Sequence, residues 1–287
     1  MAARQVIPSS MNKLVALLSY FDEDPDWLYK SVESLSKLPV TDLVVLDGPY
    51  LHYPSKDDTS PESNYEAIEQ ACKDINLPLH YYAEGRMSEV DKRSRMFEIA
   101  EEMTTEDDWY MVLDADERVE HIDGEFTLQG DACSVSLYEP DTLKTFDIRI
   151  FFRAIRGLRV HHNHHTYASL EANKVLWGMK SDNEEPVADS RVIMSHHTNL
   201  RSPGREKAAK EYYDYRDSNG LEKFKCYFCK GWSKSKRIGY GWKLSPDGQG
   251  ATCGWYGCCD KCFPAAVKKS EAQFEEVTGN RVSLNFV

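Results

Sequence analysis

The chain alternates between short apolar runs closed by acids and longer segments with helical spacing. Leu14 to Tyr20 (LVALLSY) is the pattern of a strand buried on both faces of a parallel sheet, and it runs into Asp22, Glu23 and Asp24. Asp24 suits a helix N-cap and Pro25 the first turn, after which Leu28, Val32 and Leu35 recur at helical spacing. Asp42 to Asp47 (DLVVLD) predicts a second buried strand, followed by a Gly-Pro turn. Pro61 then opens a helix carried by Tyr65, Ile68 and Cys72. Leu77 to Ala83 predicts a third strand. Ser88 with Asp91 reads as a capping box ahead of a helix whose apolar side is Met96, Ile99, Ala100 and Met103. Trp109 to Leu113 (WYMVL) predicts a fourth strand. The order β-α-β-α-β-α-β implies a doubly wound parallel sheet, with ligands outside the carboxyl ends of its strands.

Beyond Asp116 the rhythm changes. Segments near Ala132 to Tyr138, Phe146 to Phe152, Leu158 to His162 and Arg191 to Met194 predict strands without long intervening helices, hence a mixed, partly antiparallel second half. Arg205 to Arg216 reads as a helix, and the polar end from Ser270 onward suggests another.

Charge divides the chain. The whole carries a formal −12, which opposes a general nucleic-acid coat, yet Asn219 to Ser270 holds ten Lys or Arg against three acids. That reversal predicts a domain boundary, with one domain over 1–218 and a basic module over 219–287. Near the N-terminus the longest apolar run, Leu14 to Leu18, falls far short of the roughly 20 residues of a membrane span. The expectation is a soluble cytoplasmic protein without a transmembrane segment.

Six of the eight cysteines crowd the basic module. Cys226 with Cys229, and Cys259 with Cys262, form two CxxC knuckles, which match tetrahedral structural Zn²⁺ better than disulfides in a chain with no secretion signal. Cys253 or Cys258 is an alternative ligand to Cys259.

Asp114 and Asp116 follow the fourth strand directly, two hard oxygen donors on a short loop at the sheet's carboxyl edge, which suits Mn²⁺ or Mg²⁺. With SYFDEDPDW (Ser19 to Trp27), VVLDG (Val44 to Gly48), the Lys92 and Arg93 helix and WYMVLDADE (Trp109 to Glu117), the chain resembles the inverting GT-A glycosyltransferases of the family-2 type. The resemblance implies a GT-A α/β fold with a doubly wound mixed sheet. It also implies transfer of a sugar from a nucleoside-diphosphate sugar to a hydroxyl of a glycan, lipid or protein. By the same resemblance Tyr20, Asp22 and Asp47 would contact base and ribose, and Arg86, Lys92 and Arg93 would line the nucleotide pocket or diphosphate. Asp114 would face ribose and metal, Asp116 would be the principal metal ligand, and His196 or His197 would complete the metal site. Arg201 and Arg205 become candidates to bind phosphate as their loop closes, since a guanidinium matches phosphate oxygens.

An inverting transfer also needs a carboxylate base. Glu184 and Glu185 are the leading candidates, with Glu139 and Glu171 behind them. The HHNHH run, His161 to His165, reads as lining of the active site, with His162 and His164 neighbours on one strand face. Two other readings compete. A sugar-phosphate nucleotidyltransferase would want a Gly-rich first loop, which Ser19 to Asp24 lacks. A zinc-ribbon protein binding nucleic acid or protein through the basic tail, with an inactive transferase-like domain, would show salt-dependent binding.

Overall fold

A computed structural model of the chain describes residues 13–140, 142–162, 164–177, 187–197, 203–219, 224–225, 232–233, 237–244, 251–258 and 260–278. The chain divides into two compact units, Met1–Tyr213 and Asp214–Val287. The division falls inside a helix, just short of the boundary expected at residue 218.

The first unit is a mixed α/β layer structure. Strands β1 (Leu14–Tyr20), β2 (Asp42–Asp47), β3 (Leu79–Ala83) and β4 (Trp109–Asp114) alternate with helices α1 (Pro25–Ser34), α2 (Glu62–Ile75) and α3 (Glu89–Glu101). Strands β5 (Glu117–Ile122), β6 (Ala132–Glu139), β7 (Lys144–Arg153) and β11 (Ala188–His196) complete an eight-stranded sheet ordered β3-β2-β1-β4-β7-β6-β11-β5. The first four strands are parallel, β7 runs against β4 and β6, and β11 runs parallel to β6 but against β5. The carboxyl ends of β1, β2, β3, β4, β6 and β11 therefore share one edge. Because α2 and β3 lead away from β1 on one side and β4 joins it on the other, the topological switch point falls between β1 and β4, where an open α/β sheet binds its ligand.

Strand periodicity sorts the core. On β1, Leu14, Ala16, Leu18 and Tyr20 face the layer of α1 and α2, while Val15 and Leu17 face that of α3. The same alternation places Leu43, Val45, Met111 and Leu113 on the first side and Val44, Leu46, Tyr110 and Val112 on the second. Burial on both faces explains why these strands read as unbroken apolar runs. The helix starts follow their caps: Asp24 accepts from the Trp27 amide at 3.0 Å, and Ser88 accepts from the Asp91 amide at 3.1 Å.

A small sheet of β8 (Leu158–Val160), β9 (Tyr167–Ser169) and β10 (Lys174–Trp177) packs on α3, where Ser94 Oγ both donates to the Val160 carbonyl and accepts from its amide. Because β8 ends at Val160, His162 and His164 lie on a loop and not on a strand, and His162 has a positive φ of 68°. The polar segment ERVEHI forms β5 without a sequence signal. Its polar residues are accommodated because Ser31 Oγ, Ser34 Oγ and Lys37 Nζ bond the backbone of Glu117 and Val119.

Helix α4 (Pro203–Asn219) follows β11 and crosses the unit boundary. In the second unit, the pairs β12 (Phe224–Lys225) with β13 (Trp232–Ser233), and β14 (Arg237–Leu244) with β15 (Ala251–Cys258), precede α5 (Phe263–Thr278), which packs on β14. Among the described residues no helix is long and apolar enough to cross a membrane.

Candidate functional site

A cleft opens at the carboxyl edge over the β1/β4 switch point. Its floor is Ser19 to Phe21, Gly48 and Asp114 to Asp116, and its walls come from Tyr50, Tyr53, Lys92, Arg93 and the α4 residues Arg205, Ala209, Tyr212 and Tyr213. Gly48 is required at the end of β2: its φ is +141°, and a Cβ there would meet the Glu84 carbonyl oxygen at 2.2 Å.

Lys92 binds the cleft floor together. Its buried Nζ donates to the carbonyls of Tyr20 and Gly48, joining the ends of β1 and β2, and it sits 5.3 Å from the Tyr50 ring centroid. Burial pushes its pKa down to about 7, against the pull of Asp47.

The acid cluster is held from two sides. Arg93 Nη2 lies 2.9 Å from Asp114 Oδ1, and behind it Arg93 Nε is 3.6 Å from Glu89. Glu89 in turn lies 3.8 Å from His164 Nδ1, which ties the HHNHH loop to the back of the cluster. Asp116 is buried, its Oδ2 3.4 Å from His196 Nε2, and Glu139 Oε1 stands 3.6 Å from His196 Nδ1. The contact with Asp116 raises the His196 pKa to about 9 despite burial. Glu117 is buried beside them and accepts from the Asp114 amide at 3.1 Å; burial, then Asp114 and Asp116, push its carboxyl up.

Of the His pair, His196 meets Asp116, while His197 packs edge-on against Trp27 at 4.7 Å and contacts Ser195 Oγ. His196 is the last residue of β11, and His197 lies just past it, its amide donating to the Asp116 carbonyl at 2.9 Å. Among the described residues no three His, Cys, Asp or Glu side chains form a ready cation site. The donor chemistry of Asp116 and His196 nevertheless suits a divalent cation. Neighbouring corners of an octahedron with ligands at about 2.1 Å lie about 3 Å apart, close to the 3.4 Å observed. His196 Nδ1 is also buried without a hydrogen-bond partner.

Several expected contacts fall elsewhere. Asp47 is 1% exposed and consumed internally: it accepts from Ser60 N and Oγ at 2.9 and 2.6 Å and from Tyr81 Oη at 2.9 Å. Tyr20 joins this knot through its hydroxyl, 3.2 Å from that of Tyr81, although its backbone still floors the cleft. Asp22 has φ 48° and gives its amide to Ser60 Oγ, so Phe21 and Glu23 line the cleft in its place. Arg86 clamps the loop before α2, donating to the carbonyls of Tyr53, Ser55 and Asp57 and to Asp58. Glu171 pairs with Arg156 on the small sheet's turn. Arg205 does reach the cleft, pairing with Glu23 and donating to the Phe21 carbonyl.

Glu184, Glu185, Arg201, Cys226, Cys229 and Cys259 lie outside the described residues. Cys262 lies just before α5, and Cys258 ends β15. Tyr50, Glu89 and Tyr212 are brought into or behind the cleft without a motif to mark them, and Glu117, though the last residue of WYMVLDADE, is assigned no role there by that motif. Only the capping box predicted the helix on which Glu89 is the first residue.

No protein-family model matches the chain, and no curated protein matches it. Among solved structures it is similar to a mycobacterial protein, at 11% identity over 86% of this chain and 84% of that chain, with a TM-score of 0.35.

Proposed function

We propose that this chain is a GT-A-type glycosyltransferase that takes a sugar from a nucleoside-diphosphate donor and passes it to an acceptor hydroxyl. The observation that carries the reading is the cleft at the β1/β4 switch point, which Asp114 at the end of β4 and Asp116 just past it line together with Lys92, Arg93 and Arg205. Carboxylates crowded at one edge repel one another unless a cation or ligand offsets them. A bound Mn²⁺ or Mg²⁺ would supply the charge that stabilises the departing diphosphate. Asp116 and His196 are the residues to hold it. Arg205, already at the rim, is placed to meet phosphate oxygens. Lys92 and Arg93 act from beneath: one joins the strand ends that form the floor, the other fixes Asp114. Glu139 stands 3.6 Å from the far nitrogen of His196. In the second unit the four cysteines at 226, 229, 259 and 262 hold a structural Zn²⁺, a reading supported by their two-knuckle spacing.

The test is a thermal-shift screen of the purified protein against UDP, GDP, CDP and dTDP, each with and without Mn²⁺, since a ligand of the native state raises its apparent stability. Stabilisation by one diphosphate only with metal, abolished in Asp116→Ala, is the expected result. No response to any of the four overturns the reading.

A further inference from the structure

Most of the described side chains of helix α4 are exposed, yet one of its aromatic rings is not. Tyr212 is 3% exposed, whereas Tyr213 and Tyr215 are 36% and 41% exposed. Its ring stacks on Tyr50 with centroids 5.3 Å apart and an interplanar angle of 28°, and it leans on Tyr53 at 6.0 Å. Arg205 and Ala209 line the same cleft. Positions 205, 209 and 212 follow a spacing of four and three, so one face of the helix lies over the cleft, fastened at its start by Arg205 on Glu23 and the Phe21 carbonyl.

This helix leaves little room. The space within the cleft is about 90 Å³, whereas pockets that take cofactor-sized molecules run to about 300–1,000 Å³. The cleft as it stands is shallow for a nucleoside diphosphate, and a base seated against Tyr50 needs part of the wall to yield. The floor does not: Lys92, Gly48 and the strand ends are bound into the core. The element that can yield is α4, whose only buried side chain among those described is Tyr212.

We propose that Tyr50 is the stacking platform for the donor's nucleobase, and that Tyr212 covers that platform as an internal stand-in which the base displaces. Every base presents a π-face that an aromatic ring accepts, and two rings cannot occupy one face together. Tyr50 is suited to the task because it is fixed from below, with the Lys92 ammonium under its ring. The inference rests on the reading of the cleft as a nucleotide-sugar site, and it makes the chain's own helix a competitor for the donor. Apparent affinity is then lowered by the fraction of molecules in which the platform is covered.

The experiment measures binding of UDP, GDP, CDP and dTDP with Mn²⁺ by calorimetry to the wild type, Tyr50→Ala, Tyr212→Ala and Tyr212→Phe, with hydrogen exchange of residues 203–213 followed in parallel. Tyr50→Ala is expected to weaken the preferred diphosphate about tenfold or more. Tyr212→Ala is expected to tighten it by about two- to tenfold, and Tyr212→Phe, which keeps the ring, to behave as wild type. Amides of 203–213 should exchange faster once the diphosphate binds. Weaker binding in Tyr212→Ala, or slower exchange on binding, overturns the proposal, because the helix would then close over the donor and not make way for it. Should Tyr212→Ala fail to fold, the exchange of the wild type decides alone. Absence of binding in every protein tested overturns the donor site itself, a result distinct from binding that the Tyr50 and Tyr212 substitutions leave unchanged, which overturns only the platform.

Discussion

Nη2 of Arg93 lies 2.9 Å from Oδ1 and 3.2 Å from Oδ2 of Asp114, so a single buried guanidinium nitrogen holds both oxygens of the first acid in the DAD loop. The other side of the same guanidinium faces Glu89, which is itself 5% exposed. Arg93 thus acts as a spacer between two carboxylates that would otherwise repel. Burial disfavours its charge, and Asp114 together with Tyr50, Tyr167 and Glu89 more than offsets this. Arg93→Met leaves Glu89 buried without that cation and is expected to cost about 3 kcal/mol of stability, the bottom of the range for a broken buried pair because Asp114 is 40% exposed. Urea denaturation of wild type and variant measures it, and an unchanged midpoint would refute the spacer role.

Ser60 tests whether Asp47 serves the scaffold or the donor. Its hydroxyl donates to Asp47 and accepts from the Asp22 amide, so Ser60→Ala removes two hydrogen bonds around a buried carboxylate. A loss of about 1–3 kcal/mol is expected, with nucleotide affinity unchanged. If calorimetry found affinity reduced and stability intact, Asp47 would belong to the ligand and not to the knot.

Lys92 gives a pH signature. The unfolded chain keeps the lysine proton to about pH 10.4, whereas burial brings the folded value down to about 7. Between those limits unfolding takes up a proton, so stability rises with pH across the window; below 7 both states are protonated and the dependence vanishes. The difference in stability between wild type and Lys92→Met, measured from pH 6 to about pH 10, should therefore move in favour of the wild type as pH rises. A flat difference would mean that the lysine stays charged on its two carbonyls.

Glu139 should act through His196. Glu139 is within ion-pair reach of the far nitrogen of His196, at 3.6 Å, and removal of a carboxylate that supports a metal-binding imidazole typically weakens metal binding about 10- to 100-fold. Glu139→Ala is expected to reduce Mn²⁺ affinity by that order in the wild type and to have no effect in a His196→Ala background, as read from the free-ion electron paramagnetic resonance signal. Equal losses in both backgrounds would place Glu139 on the cation directly.

The N-terminal half of this fold was legible because its determinants are local. Strands such as LVALLSY and DLVVLD announce themselves by burial on both faces, and Asp24 and Ser88 cap the helices they were expected to cap. The edge on which Asp114 and Asp116 lie followed from the order of the first four strands, since parallel strands bring their carboxyl ends together; His196 was expected beside them only through the family resemblance, and the pairing of β11 with β6 and β5 is what brings it there. What lay beyond the sequence was which acids would be spent internally. Asp47 and Asp114 look alike at the ends of their strands, yet Ser60 and Tyr81 bury the first while the second stays part-exposed against Arg93. That outcome depends on a loop residue thirteen positions away and on a neighbouring strand. Tyr212 was equally silent, because a tyrosine on a polar helix carries no periodic signal; its burial depends on where α4 comes to rest on Tyr50. Local pattern decides which segments are strands and helices, whereas pairing partners drawn from distant segments decide which polar groups remain available for chemistry.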